Sequence, residues 1–477
     1  MAFLDETWLG WTALAVEALA LGCIPWVLMR RREAPSAAAW ILTLLFLPGL
    51  GLLLFLLFGR DRIRRPAHRR ADAASVVRRR LTELELPWWA SAEAERSRLR
   101  GAEHGLMRLA ERLGHMGPAP GNVVRPWRRA PALWRAQLEA VGTARHHVHV
   151  AMYIVDPDEE GERLLEALIE AAARGVEVRL LLDGFGSRRF GAARMRRLRR
   201  AGVQVRWFLP LEPLRRAWTL NLRNHRKIVV VDGRVGFTGG INVGRRFRNW
   251  PDVHLELRGP AVHQLQAIFA EDWFFAAGEE LAEPAYFPPP RVEGRAVVQL
   301  VASGPDGRSG EAVHRVYFAA IASAHRRVWV TTPYFVPDPA VRMALQTAAL
   351  RGVDVRLLLP ARSNHRVTFH AGRSYYDELL EAGVRIFEYV PGMIHAKTMI
   401  VDDDFATVGS ANFDVRSFRL NFELVAVLWD GESVGALAEL VERELAHGRA
   451  LTLSAWRRRP WRMHVVEGAG RLFAPLL

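Results

Sequence analysis

The sequence predicts an α/β protein of two lobes related by a pseudo-twofold axis, each a mixed β-sheet flanked by helices, preceded by an N-terminal transmembrane helical hairpin. Three observations predict it. Two apolar runs open the chain, strand-like and helix-like stretches alternate over the rest, and one constellation of residues occurs twice at a fixed spacing. At 477 residues, half of them apolar, the chain is long enough for two or more domains and a large core.

The hairpin comes first. Trp8 to Met29 is 22 residues with a single charge, Glu17, and Ser36 to Phe58 is 23 residues with none. At about 1.5 Å per residue each run reaches across a hydrocarbon core of roughly 30 Å. A cleaved signal peptide fits less well, because Asp5 and Glu6 stand where positive charge belongs and no small-x-small cleavage site follows. Buried helices of a soluble core are the other alternative. Glu17 is costly at mid-membrane unless it is neutral or faces a partner helix, and Pro48, Gly49 and Gly51 predict a kink or a close helix approach. Residues 1–59 are therefore assigned to the hairpin.

Residues 60–125 read as a basic juxtamembrane connector. Arg60 to Arg80 carries nine arginines against Asp61 and Asp72, a block that favours the cytoplasmic side and either gathers anionic lipid or acts only as a topology anchor. Arg30, Arg31 and Arg32 in the hairpin turn pull the opposite way, and the larger block outweighs them. Turn signals follow at Gly117-Pro118 and Pro120-Gly121.

The first lobe is assigned to 126–287 and the second to 288–477, with Pro288-Pro289-Pro290 at the junction. In the first, a strand over His147 to Val155, a helix over Glu160 to Arg174 with Leu164, Leu165, Leu168 and Ile169 on one stripe, and a strand over Val176 to Asp183 follow in order. Val328 to Phe335, a helix near Val341 to Leu350 and Val353 to Pro360 repeat this in the second. Apolar runs such as Ile228 to Val231 suit central strands covered on both faces.

The formal charge of +15 and pI near 10.9 imply attraction to polyanions, either nucleic acid or an anionic membrane. Cys23, the single cysteine, excludes an intrachain disulfide and a cysteine-ligated metal site. His146, His147 and His149 crowd one stretch without a matching acidic or cysteine ligand set, so they read as strand or surface positions. No metal and no cofactor is expected.

The chain has 66 Lys plus Arg, of which only Lys227 and Lys397 are lysine. Each sits in a His-x-Lys-x4-Asp string, His225 to Asp232 and His395 to Asp402. Gly239-Gly240-Ile241-Asn242 and Gly409-Ser410-Ala411-Asn412 follow, and the five shared positions recur at one offset, 170 residues from His225 to His395. Upstream, Arg174-Gly175-Val176 echoes Arg351-Gly352-Val353, and Ala201-Gly202-Val203 echoes Ala382-Gly383-Val384. The region is a duplication.

If the strings lie on strands, His225 and Lys227 project from one face, as do His395 and Lys397. Two histidines and two lysines converging on one site suit a phosphodiester: one imidazole attacks phosphorus to give a phosphohistidine, and the other serves as general acid and base. Lysine supplies a compact cation where arginine presents a broad fork. The lysines, with Asn242 and Asn412, would hold the nonbridging oxygens. Asp252, 27 residues after His225, and Glu423, 28 after His395, are the expected orienting partners of the histidines. Asp232 and Asp402 complete the candidate catalytic strings, but following strands and preceding turns they read as structural, bonding loop amides or basic neighbours, or forming a plain Asx-turn.

At these residues the chain resembles the phospholipase D superfamily, and more narrowly its bacterial cardiolipin synthases. The resemblance is carried by Asn221-Leu222-Arg223-Asn224-His225-Arg226-Lys227, Gly239-Gly240-Ile241-Asn242, Ser303-Gly304-Pro305-Asp306, Tyr334-Phe335-Val336-Pro337, Asn412-Phe413-Asp414-Val415-Arg416-Ser417-Phe418, Asn421-Phe422-Glu423 and Ala474-Pro475-Leu476-Leu477. It implies two phospholipase D-like lobes and transfer of a phosphatidyl group from one phosphatidylglycerol to another with release of glycerol, His225 being the attacking residue. With the two spans and the arginine block, the expectation is a multi-pass protein of the bacterial inner membrane with a cytoplasmic catalytic region, acting on an anionic membrane; the spans and the lack of a recognisable nucleic-acid module argue against nucleic acid as its partner. Hydrolysis of phospholipid to phosphatidic acid would use the same residues. Oligomeric state stays open.

Overall fold

The computed structural model describes residues 2–29, 34–56, 64–83, 102–210, 222–305, 311–472 and 474. Arg30 to Arg32, the start of the arginine block, residues 84–101 of the connector, Asn221, Asp306 and the last three residues lie outside them. The chain divides into two units, Met1–Arg65 and Pro66–Leu477.

In the first unit the two apolar runs become four helices: Ala2–Gly22, Ile24–Met29, Ala34–Phe46 and Pro48–Leu54. Pro25 and Pro48 each open a new helix, because proline fits the first turn but not a helix interior. The kink expected in the second run is thus present at Leu47 and Pro48. A close approach accompanies it: a Cβ on Gly51 would lie 2.4 Å from the Thr43 carbonyl oxygen. Ala20, Val27, Leu44 and Phe55 form a small core, while Trp11, Leu14, Leu28, Phe46 and Leu50 face outward. Among the described residues no helix is long and apolar enough to cross a membrane. The pieces after each proline are short, and Ala2–Gly22 includes Asp5, Glu6 and Glu17. The uninterrupted spans expected from the sequence are therefore not seen.

The second unit is organised by one sheet. Its strands are β1 (Ala119–Trp127), β2 (His147–Met152), β3 (Glu177–Asp183), β4 (Gln204–Phe208), β5 (Arg223–Asn224), β6 (Ile228–Val231), β7 (Val235–Gly239), β8 (His254–Arg258), β9 (Ala296–Ser303), β10 (Arg327–Thr331), β12 (Asp354–Pro360), β13 (Arg385–Tyr389), β14 (Thr398–Val401), β15 (Phe405–Gly409), β17 (Asn421–Leu428) and β18 (Gly448–Ala450). Two short strands, β11 (Phe335–Val336) and β16 (Phe413–Asp414), pair separately. The order is β18-β13-β12-β10-β14-β15-β17-β9-β1-β8-β7-β6-β2-β3-β4, with β5 on β17.

This order reads the same from either end apart from β18. β2 pairs parallel with β3 and antiparallel with β6, as β10 does with β12 and β14. The duplication seen in the sequence is therefore a duplication of strand connectivity. The helix Glu159–Ala173 joins β2 to β3 and Pro339–Leu350 precedes β12, and Gly175 and Gly352 follow them at φ +87° and +88°. Only glycine adopts that left-handed turn freely, which explains the Arg-Gly-Val echo.

Residues 102–127 are more than a connector. Strand β1 sits between β8 and β9 at the middle of the sheet, and the helix Ala102–Gly114 packs Leu106, Met107 and Ala110 into the core of the second lobe. Polarity of the flanking turns conceals this in the sequence.

Candidate active site

Both histidine strings lie just ahead of strands, not on them. His225 to Lys227 bridge β5 and β6, and His395 to Lys397 lead into β14. The extended backbone still puts His and Lys on one side, with Arg226 opposite. Lys227 Nζ donates to the His225 carbonyl oxygen at 2.6 Å, and Lys397 Nζ donates to the His395 carbonyl. Both lysines are buried, at 0% and 1% exposure.

Across the lobes everything is exchanged. His225 Nδ1 lies 3.0 Å from Glu423 Oε2, and His395 Nδ1 lies 2.6 Å from Asp252 Oδ2. The same-half pairing expected from spacing is thus incorrect: each imidazole takes its carboxylate from the other lobe. The backbone enforces it, since the His225 amide donates to the Phe422 carbonyl at 2.9 Å and the His395 amide to the Pro251 carbonyl at 2.7 Å. With Nδ1 committed to a carboxylate, Nε2 of each ring is left for a ligand.

His225 and His395 line one cavity of about 380 Å³, together with Asn242 and Asn412. The Asn412 Oδ1 atom is buried without a hydrogen-bond partner. Asn242 Oδ1 accepts from the Ile154 amide at 3.3 Å. Asp232 and Asp402 are not in this cavity. Asp232 accepts from the amides of Arg145, His146 and His147, and Asp402 from those of His325, Arg326 and Arg327. Each carboxylate caps the start of a strand, β2 or β10, so their place is structural and not among the reacting groups. His147 and His149 are buried on β2, where His149 stacks on Phe269.

The two halves are not identical. Gly239 and Gly409 occupy close approaches, where a Cβ would lie 2.6 Å from His254 Cα and 2.4 Å from the Leu424 oxygen. A Cβ on Gly240 would lie 2.2 Å from Asp252 Oδ1, whereas its counterpart Ser410 donates to Glu423 Oε2 at 2.5 Å. Asn421 adds a second donor to Glu423 at 3.0 Å.

Burial dominates the electrostatics. It lowers the His225 imidazole despite Glu423, and with Lys397 it lowers His395 to about 3. It pushes Lys227 down to about 7 and Lys397 down to about 8. Burial raises Asp252 and Glu423, but Lys397 and His395 outweigh it at the first and His225 and Lys227 at the second, so both stay below the usual carboxylate range. Two lysines against two carboxylates make the cluster formally neutral before a phosphate arrives.

Sequence reasoning missed the wall. Arg223 stacks on Phe185 at 3.8 Å and, with Arg416 and Arg246, lines the cavity. Arg246 is held by Asp156 at 2.8 Å. Tyr153 packs edge-on against His225 at 4.7 Å between centroids, and Trp250 packs at a tilt against His395 at 5.2 Å. Burial raises the Asp414 carboxyl, also on the wall, to about 6. The available signal was position: Arg223 lies two residues before His225 and Arg416 four after Asn412.

The family profile "Cardiolipin synthase, PLD-like domain" matches residues 138–273 and 317–445, which contain both histidine strings and the carboxylates that face them. The chain belongs to this family. The profile "Phospholipase_D-nuclease N-terminal" matches residues 18–60. Among curated relatives, the cardiolipin synthase of Geobacillus thermodenitrificans is 39% identical, covering 94% of this chain and 90% of its own. Cardiolipin synthase 2 of Bacillus anthracis is 37% identical over 97% and 90%. In fold, the chain is similar to the crystal structure of phosphatidylserine synthase from Haemophilus influenzae, with a TM-score of 0.57 at 14% identity over 78% of this chain and all of that one. Members of the family are phosphatidyltransferases of the phospholipase D superfamily, and this chain carries both of the family's lobes.

Proposed function

We propose that the protein makes cardiolipin from two phosphatidylglycerol molecules through a phosphohistidine. His225 Nε2 attacks phosphorus, the bond to the headgroup glycerol breaks, and His395 gives the leaving alkoxide its proton. A hydroxyl of the second phosphatidylglycerol then loses its proton to His395 and attacks phosphorus, releasing His225 and cardiolipin. Lys227, Lys397, Asn242 and Asn412 hold the nonbridging oxygens, the lysines from beneath the histidines. Arg223 and Arg416 offer charge for the phosphate of the second lipid, which favours a lipid acceptor over water. The observation that carries the reading is the crossed pair of histidine and carboxylate contacts around one cavity, 3.0 and 2.6 Å long.

Purified protein incubated with phosphatidylglycerol should yield cardiolipin and glycerol. Phosphatidic acid instead would favour hydrolysis, and cleavage of DNA without lipid turnover would sink both. A reversed assignment, with His395 attacking, is favoured by one observation: burial and Lys397 lower His395 to about 3, which keeps its ring neutral and nucleophilic. Acid-quenched trapping with lipid labelled in the phosphatidyl group decides it, since label on the peptide containing His395 would reverse the roles.

We further infer that Met1–Arg65 is a membrane anchor whose two apolar runs each cross as a proline-kinked span, and that the arginines following it keep the catalytic region cytoplasmic at the inner membrane. The proposed first lobe runs from the start of β1 at Ala119, ahead of the 126 expected from the sequence, to 287, and the proposed second lobe covers 288–477.

A further inference from the structure

The last helix of the chain, Trp461–Leu472, is turned inside out. At about 100° per residue, Trp461, Val465 and Leu472 share one face, and that face is the outward one, with exposures of 77%, 58% and 81%. The inward face carries Glu467, which is 2% exposed and gripped by Arg459 at 2.5 and 3.0 Å and by Arg373 at 3.3 Å. Gly470 is pressed against the neighbouring helix Arg366–Arg373, where a Cβ would come 2.9 Å from the Ala371 nitrogen. A carboxylate has been taken inward and satisfied while a tryptophan and two large aliphatics are left outside. In water this arrangement is unfavourable, and a contiguous apolar face of this kind marks a contact surface.

Its position and its charges identify the contact. The underlying helix Arg366–Arg373 sends Thr368 into the lining of the catalytic cavity and leaves Val367 exposed at 48%, so a single helix separates the apolar face from the site. Arg462 is exposed on the helix next to Trp461 and Arg458 is exposed just ahead of it, while Arg471 is paired with Glu378 at 3.7 Å. A second copy docked symmetrically would set these arginines against one another, whereas an anionic surface would neutralise them.

We propose that Trp461–Leu472 is an interfacial helix that lies in the surface of an anionic bilayer, Trp461, Val465 and Leu472 bedded among the acyl chains and Arg458 and Arg462 on lipid phosphates. This holds the cavity mouth at the level from which a lipid headgroup can enter. The inference rests on the reading of the substrate as a bilayer lipid and adds a docking surface to it.

The test uses the full chain with Cys23→Ser and Val465→Cys, labelled at residue 465 with an environment-sensitive fluorophore and reconstituted into phosphatidylglycerol vesicles. The label should emit as in an apolar medium and be quenched by lipids bearing a nitroxide near the headgroup. A label that stays in water in membrane-bound, active protein overturns the docking surface. So does a blue shift that appears without vesicles and grows with protein concentration, which would assign the face to a second copy. Quenching in protein that makes no cardiolipin would keep the surface and reject the catalytic reading. Val465→Glu with Leu472→Glu should raise the apparent KM for vesicle lipid on the order of tenfold, leave kcat on detergent-dispersed lipid unchanged, and leave Tm near that of the parent. An unchanged KM would also count against the proposal.

Discussion

At the scale of single residues, lysine is used at 227 and 397 for its shape as much as its charge. Each ammonium is enclosed beneath its histidine and bonded to that histidine's own carbonyl, a space that a planar guanidinium cannot enter without displacing the ring. Lys227→Arg and Lys397→Arg should each reduce kcat about a hundredfold or more while the protein stays folded by circular dichroism. Near-parental turnover in either variant would refute the steric argument. The crossed carboxylates give a second expectation. With a phosphatidyl donor whose leaving group needs no proton, Asp252→Asn should still load His225 rapidly and then stall, because His395 can no longer be held for the acceptor's proton. Glu423→Gln should slow the loading itself. Equal effects of both changes on the burst would contradict the proposed division of roles. Asp414 provides a pH test. Its folded pKa is raised to about 6 by burial, so the folded state holds the proton more tightly than the unfolded chain, whose aspartate titrates near 3.9. Stability from this group is complete below the unfolded value and is lost as pH rises through about 6. Asp414→Asn should therefore raise stability by about 3 kcal/mol above neutrality and by little near pH 3, measured by denaturant unfolding at both. An increase confined to low pH would reverse the sign and reject the account.

At the scale of elements, the sequence reports what is repeated and misses what is exchanged. The strands β2, β3, β10 and β12 and their connecting helices were legible because period and turn residues are local properties. The partners of His225 and His395 were not, because 27 and 28 residues of separation point to the same half and nothing local records that β5 pairs with β17 from the other half. The site was therefore legible in its members and not in its wiring. Strand β1 and the helix Ala102–Gly114 were hidden for another reason: β1 mirrors β9 in the strand order, but neither it nor the helix carries a motif. Between the two lysine-bearing strings the least visible element is a clasp. Arg226 is fully buried, bonded to Asp272 at 2.7 Å, to the Ser303 carbonyl at 3.1 Å and to the Glu423 carbonyl at 3.1 Å. It ties the first string to the helix Ala261–Ala277 and to β9 and β17, the strands of the second half nearest the junction. Arg226→Met leaves the Asp272 carboxylate buried without this cation and should destabilise by about 3 to 5 kcal/mol. Adding Asp272→Leu should recover much of that loss in the same unfolding assay. No recovery would show that Arg226 acts through its carbonyl contacts alone.

At the scale of the molecule, the two units face different demands. Pro66–Leu477 closes both of its lobe cores over a single sheet, and neither lobe alone contains a complete site, since each histidine borrows a carboxylate across the junction. Met1–Arg65 has a core of only a few side chains and an exterior of tryptophan, leucine and phenylalanine, which suits lipid and not water. Deleting residues 1–65 should then leave a protein that folds, makes cardiolipin from lipid in detergent and is no longer extracted as an integral membrane protein. It should not become indifferent to membranes. The remaining chain keeps most of the arginine excess and the outward face of Trp461–Leu472, so it should sediment with phosphatidylglycerol vesicles at low salt and be released as ionic strength rises and the screening length falls below about 10 Å. The residual binding has two parts that salt separates: arginine attraction is screened, whereas burial of Trp461, Val465 and Leu472 is not. A truncated protein that remains integral would show that the anchor lies elsewhere. One that ignores anionic vesicles at every salt concentration would show that the arginines and the last helix meet something other than lipid.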